Sequence, residues 1–157
     1  MIFETLGYIQ MDELKTNYFI ALCGIPGSGK STLSKKLTQT YNAKLYSYDE
    51  ICRQSELKDA HEMRVQILTS IAKDLRKGYN VIFDDVNILT GSRIEVLLSI
   101  EDIKCSKVLV VMNTSLEECL HRNANRKKRV PDWAINHMHR KYQVPTLNEG
   151  WDEILCY

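Results

Sequence analysis

Apolar residues fall along this chain in two periods. Tyr18-Phe19-Ile20-Ala21-Leu22-Cys23 is an unbroken apolar run, Val81-Ile82-Phe83 is a shorter one, and Val108 to Met112 is a third. Such runs predict strands buried on both faces of a parallel sheet. Lys44-Leu45-Tyr46-Ser47 and Ile154-Leu155 predict two further short strands. Between the runs, apolar positions recur every three or four residues. Leu33, Leu37 and Tyr41 predict a helix over about residues 30–40, and Met63, Ile67, Ile71 and Leu75 predict another that Gly78 caps. Ile94, Leu97 and Leu98 predict a third. Ser115-Leu116-Glu117-Glu118 has the form of a capping box, and Pro131 suits the first turn of a last helix. Trp133 and Tyr142 are expected to pack in the core or in a lid rather than to offer stacking surfaces. Strands alternating with helices predict an α/β fold, a parallel sheet of about five strands joined by right-handed crossovers. Residues 1–17 carry no such pattern and are set apart as an N-terminal extension; the domain is expected over 18–157.

The segment between the first strand and the first helix is Gly24-Ile25-Pro26-Gly27-Ser28-Gly29-Lys30-Ser31-Thr32, a complete G-x-x-x-x-G-K-S phosphate-binding loop. Strand, loop and helix follow in the order the chemistry requires. Glycines let backbone N–H groups converge on a phosphate, and the helix points its positive end at the same place. Lys30 reaches the β- and γ-phosphates, and the Ser31 hydroxyl is placed to ligate Mg²⁺. The expected ligands are therefore ATP, or another nucleoside triphosphate, and Mg²⁺.

Acids at the carboxyl ends of the strands complete such a site in open α/β sheets. Asp84-Asp85 follows the strand Val81-Ile82-Phe83, where either carboxylate can hold Mg²⁺ through Ser31 or water. Asp49 follows the second strand. It can take a proton from an acceptor hydroxyl, or it can be the N-cap of a helix opening at Glu50. Arg53, one turn on, can meet an anionic group of the acceptor or pair with Glu50. Arg122, Arg126, Lys127, Lys128 and Arg129 form the one strong basic run. It reads as a lid over a triphosphate, with a solvated helix end as the alternative.

Composition narrows this picture in three ways. The net charge of +1 excludes a general polyanion binder, so a basic site must be local. Five scattered cysteines without a C-x-x-C pair point to a reducing compartment. There is no apolar run of membrane-spanning length, and Glu4, Asp12 and Glu13 stand where a signal peptide would be basic, so a cytoplasmic location is expected.

From about Phe19 to Ile154 the chain resembles the P-loop kinase family that includes the 5′-hydroxyl polynucleotide kinases of bacteriophage and bacterial RNA-repair systems. The resemblance rests on the loop, on Ser47-Tyr48-Asp49-Glu50 with Arg53-Gln54, on Phe83-Asp84-Asp85-Val86-Asn87, and on Arg122-Asn123-Ala124-Asn125-Arg126 before Val130-Pro131. It implies that Asp49 is the general base, with Glu50 as the alternative because the spacing to Arg53 is four. It implies also that Arg53 binds a phosphate of the acceptor, that Arg126 with Arg122 bridges the donor phosphates, and that Asn87 belongs to an acid-x-Asn or acid-x-x-Asn signature on the substrate side. The implied acceptor is a nucleic-acid 5′ end. The same relatives include kinases of tRNA-borne groups and small hydroxylated metabolites, and a non-catalytic nucleotide-binding module is the remaining reading.

Overall fold

A computed structural model describes residues 17–57 and 59–157. Five strands, β1 (Tyr18–Cys23), β2 (Lys44–Ser47), β3 (Val81–Asp84), β4 (Ser106–Val111) and β5 (Glu153–Cys156), form one parallel sheet in the spatial order β2-β3-β1-β4-β5. Each adjacent pair is parallel, with Phe19 opposite Val81 on one side of β1 and Ile20 opposite Val108 on the other. The connections run through helices α1 (Lys30–Thr40), α2 (Tyr48–Gln54), α3 (Ala60–Arg76), α4 (Thr90–Leu98), α5 (Leu116–Ala124) and α6 (Asp132–Lys141), and a short 3-10 turn, Leu147–Glu149, precedes β5.

Alternation along β1 divides the core in two. Phe19 and Ala21 face Ile67, Ile71 and Leu75 of α3 and Val96 and Leu97 of α4. Ile20 and Leu22 face Leu33 and Leu37 of α1. A smaller cluster of Ile25, Ile88, Cys119 and Ile135 joins the loop after β1 to α5 and α6. That third cluster is what holds the basic segment against the rest of the domain.

Three sequence expectations change. The helix after β2 opens at Tyr48 behind Ser47, so Asp49 lies in its first turn and is not its N-cap. Asn17, assigned to the extension, is buried and donates from Nδ2 to Leu75 O and Tyr79 O, at 3.0 and 2.9 Å. The rest of the extension, residues 1–16, lies outside the described residues. Trp133 is 74% exposed rather than packed. On α6 the inward face is set by Ile135, Met138 and Tyr142, and Trp133 stands about 200° round from Ile135 at 100° per residue. Tyr142 does pack against the core, as expected. Among the described residues no helix is long and apolar enough to cross a membrane.

Candidate functional site

β1 lies between β3 and β4 while its sequence neighbours lie elsewhere, so the chain parts on either side of its carboxyl end and leaves a crevice there. The glycine-rich loop fills the floor of that crevice. Gly24 N–H donates to Val86 O at 2.9 Å, tying the loop to the end of β3, and Thr114 Oγ1 donates to Ser28 O at 2.9 Å, tying it to the end of β4. Gly27 has φ +85°, and a Cβ there would sit 2.3 Å from the Cys119 carbonyl oxygen. Only glycine permits α5 to rest directly on the loop.

Lys30 begins α1 and is buried. Its ammonium spans the loop, donating to Gly24 O at 2.7 Å and Ile25 O at 3.0 Å. Burial lowers its pKa, while Asp84, Asp85 and Asp49 pull it back up. Asp84 ends β3, where its buried carboxylate accepts from the Ser31 hydroxyl and from Ser34 Oγ, the latter at 3.2 Å. Burial raises its pKa against these hydrogen bonds and the Lys30 charge. Of the two acids after β3, Asp84 therefore meets Ser31. Asp85 is held by other partners: its Oδ2 takes Arg64 Nη1 at 2.8 Å, and Oδ1 accepts from Val86 N–H.

A cavity of about 250 Å³ brings together Gly29, Lys30, Ser31, Thr32, Asp49, Asp84, Asp85, Arg122 and Arg126. Asp49 enters it from α2, Arg122 from α5 and Arg126 from the turn after α5. Arg122 Nε also bonds Glu118 Oε1 at 2.6 Å, one turn back. A second cavity of about 560 Å³ shares Gly29, Thr32 and Arg122 with the first and extends to Lys36, Asn113 and Tyr157. Arg53 and Glu50 do not line the first cavity; both are exposed on α2.

Asn87 has a structural part in the turn after β3. It is buried at φ +46°, and its Nδ2 donates to Leu22 O at 2.9 Å. Its backbone oxygen takes Cys23 Sγ and Arg93 Nη1. The asparagine closes the turn after β3 onto β1; it does not line the phosphate cavity, and it lines a neighbouring cavity of about 320 Å³ that shares Asp85 and Val86 with it. Asparagine tolerates that left-handed backbone better than most residues, which explains its place behind the two acids.

Three structural supports were not read from the sequence. Arg64 of α3 holds Asp85, Glu95 and Ser92 O together. Arg93 of α4, fully buried, makes a bidentate pair with Glu149 at 2.8 and 2.7 Å and also reaches Asn87 O and Thr90 Oγ1. Asn123, fully buried at the end of α5, donates to Val130 O at 2.7 Å and accepts from Val130 N–H at 3.0 Å. That reciprocal pair staples the base of the basic turn 124–130, so Arg126 projects from a closed loop. A polar residue on the apolar face of a helix was the available signal: Asn123 follows Leu116 and Cys119, and Arg93 precedes Val96, Leu97 and Ile100 at the same spacing.

The parallel sheet, the loop between β1 and α1 and the acid ending β3 define a kinase-like P-loop NTPase. Residues 19–156 match the family described as chromatin associated protein KTI12, and the chain belongs to the KTI12 family. It is 26% identical over 143 residues to the L-seryl-tRNA(Sec) kinase of Methanococcus maripaludis, a match that covers 85% of this chain and 55% of that protein. It is 28% identical over 146 residues to the bifunctional polynucleotide phosphatase/kinase of Schizosaccharomyces pombe, covering 86% of this chain and 32% of that one. The chain thus spans about half the length of the first relative and about a third of the second. The crystal structure of Chaetomium thermophilum Kti12 in complex with ADP-AlF3 superposes with a TM-score of 0.67 at 15% identity over 88% of each chain, a likeness of fold. A polynucleotide kinase is thus among the relatives, while the family matched is that of KTI12.

Proposed function

We propose that this protein transfers the γ-phosphoryl of ATP, or another nucleoside triphosphate, to a hydroxyl, with a nucleic-acid 5′-hydroxyl as the preferred acceptor. The observation that carries this is Asp49, whose carboxylate shares one cavity with Lys30, Ser31, Asp84, Arg122 and Arg126. Binding a nucleotide needs the loop and Lys30; it does not need a proton acceptor and two guanidinium groups around the same space. Both relatives named above are, by name, kinases acting on a hydroxyl of a nucleic acid or of a group carried by one. That supports the acceptor class, and the seryl-tRNA kinase favours a tRNA-linked hydroxyl as the second reading.

The triphosphate lies along the loop in the smaller cavity, and the nucleoside extends past Gly29 and Arg122 into the larger one. Lys30 exchanges its two loop carbonyls for phosphate oxygens, so its charge is already in place when the donor arrives. Oxygen donors at Ser31 and Asp84 suit Mg²⁺. Such an ion commonly keeps waters and substrate phosphates beside one or two protein oxygens. An ion held by Ser31 and Asp84 would neutralise charge on the β- and γ-phosphates. Asp49 accepts the proton of the attacking hydroxyl. Arg126 and Arg122 meet the charge on the migrating phosphoryl group, held at the right height by the Asn123 staple. Arg53 lies one turn along α2 from Asp49, on the same face, where it grips a phosphate one nucleotide from the reacting oxygen.

Incubation with γ-labelled ATP and a panel of 5′-hydroxyl oligonucleotides, aminoacyl-tRNAs, nucleosides and sugars tests the reading; label in none of them overturns it. Lys30→Ala is expected to lower kcat/KM about a hundredfold, roughly 3 kcal/mol of transition-state stabilisation. Near-parental turnover in that variant would remove Lys30 from the site.

A further inference from the structure

The indole of Trp133 is 74% exposed on the outer face of α6 and is left unexplained by the core or by the phosphate cavity. Its surroundings are strongly basic. From 126 to 141 the chain carries Arg126, Lys127, Lys128, Arg129, Arg140 and Lys141 against one acid, Asp132, which pairs with Arg129 at 2.6 Å. In a chain of net charge +1 this is a local concentration. His137 and Lys141 follow Trp133 at steps of four residues and so stand on its side of the helix, about 6 Å apart per step. Both also line a cavity of about 320 Å³ whose other walls include Tyr48, Arg64, Asp85 and Val86. Asp85 and Val86 in turn wall the phosphate cavity. The cavity beside the face bearing Trp133 therefore borders the place of phosphoryl transfer.

We propose that this face of α6 binds single-stranded nucleic acid, with one base stacked on Trp133, backbone phosphates on Lys141 and the basic turn, and the strand end directed past Arg64 toward Asp85. The inference deepens the polynucleotide reading above and rests on it for its purpose. Its chemistry stands on the surface itself. A flat exposed aromatic beside cations matches a polyanion that carries π-faces. An acidic peptide would satisfy the cations and leave the indole unused, and a membrane surface would call for more than one large apolar side chain among Asn136, His137 and Arg140.

Trp133 supplies its own readout, because the other tryptophan, Trp151, is only 4% exposed. The full chain, free of nucleotide, is titrated with 5′-phosphorylated single strands of about eight nucleotides, a length on the scale of known single-strand sites, which offer no 5′-hydroxyl to phosphorylate. Saturable quenching of emission is expected, weakening as salt rises. By anisotropy of a labelled strand, Trp133→Ala is expected to weaken binding on the order of tenfold, while Trp133→Phe, which keeps a stacking face, retains most of it. ATP binding should be unchanged in both variants. Inorganic polyphosphate should bind without quenching. The proposal is overturned if strands bind without quenching, if Trp133→Ala binds as tightly as the parent, or if polyphosphate quenches equally, which would leave only a polyanion patch. It is overturned also if anionic vesicles shift the emission and strands do not, or if ATP alone quenches as strands do, which would give the indole to the donor. Strands that bind while no acceptor is phosphorylated would sink the kinase reading and keep this one. Nucleosides that are phosphorylated while strands fail to bind would do the reverse.

Discussion

Asp49→Asn is expected to slow phosphoryl transfer by about 10²–10⁴-fold and to leave nucleotide binding as it is. The replacement keeps the size of the side chain and its place in the first turn of α2, and removes only the ability to accept a proton. Asp49 is exposed into the cavity and close enough to influence both Lys30 and Asp84. A carboxylate in that position does two things: it orients the acceptor hydroxyl, and it removes the proton as the new P–O bond forms. Losing the second role alone slows the chemical step. Single-turnover rates with γ-labelled ATP measure that step, and calorimetry with ADP measures the donor site separately. Glu50→Gln is the internal comparison, since Glu50 does not line the cavity and its replacement should change the rate little. If Glu50→Gln is the slow variant and Asp49→Asn is near parental, the base lies on the other side of α2 and the cavity has been misassigned.

The site was legible where its chemistry is written in consecutive residues. Gly24 to Thr32 must be contiguous because one turn of backbone does the work, and an apolar strand before it and a helical period after it supply the context. Asp84 was legible as one of two acids ending a buried strand. Which of the pair faces Ser31 was not, because that depends on Arg64, twenty-one residues away, taking Asp85. Adjacent residues at a strand end point in different directions, so an acid pair leaves open which of the two bonds Ser31. The structural part of Asn87 was hidden for a related reason. Its position behind the acids suggested substrate contact, and nothing local in the sequence announced the left-handed backbone and the bond to Leu22 O by which it also closes the turn. Trp133 shows the opposite case, a residue whose type suggests burial and whose helical position does not. Ile135, Met138 and Tyr142 already define the inward face by spacing, and Trp133 falls opposite. Residue type sets a preference for burial; position on the helix decides it.

Arg93→Ala is expected to destabilise the domain by about 3–5 kcal/mol, the cost of leaving one member of a buried ion pair without its partner. Arg93 is fully buried and Glu149 nearly so, joined by two hydrogen bonds at 2.8 and 2.7 Å. Removing the guanidinium strands a carboxylate whose remaining partners are Trp151 Nε1 and the Thr146 N–H. It also releases Asn87 O and Thr90 Oγ1, so the loss reaches the turn beside Asp84. Burial alone would raise the Glu149 pKa, but the Arg93 and Trp151 hydrogen bonds outweigh it and hold it below the usual glutamate value. A depressed carboxylate pKa contributes stability that is present above the unfolded-state value and lost as pH falls through the folded one. The parent should therefore lose stability on acidification across and below the ordinary glutamate range, and the variant should lose less over the same interval. Urea unfolding at neutral and mildly acidic pH measures both effects. The paired replacement Arg93→Met with Glu149→Gln removes both charges and should recover part of the loss, since the penalty in the single variant is chiefly the stranded carboxylate. A single variant as stable as the parent, with an unchanged pH profile, would mean that the Arg93–Glu149 pair does not hold the C-terminal segment to the site.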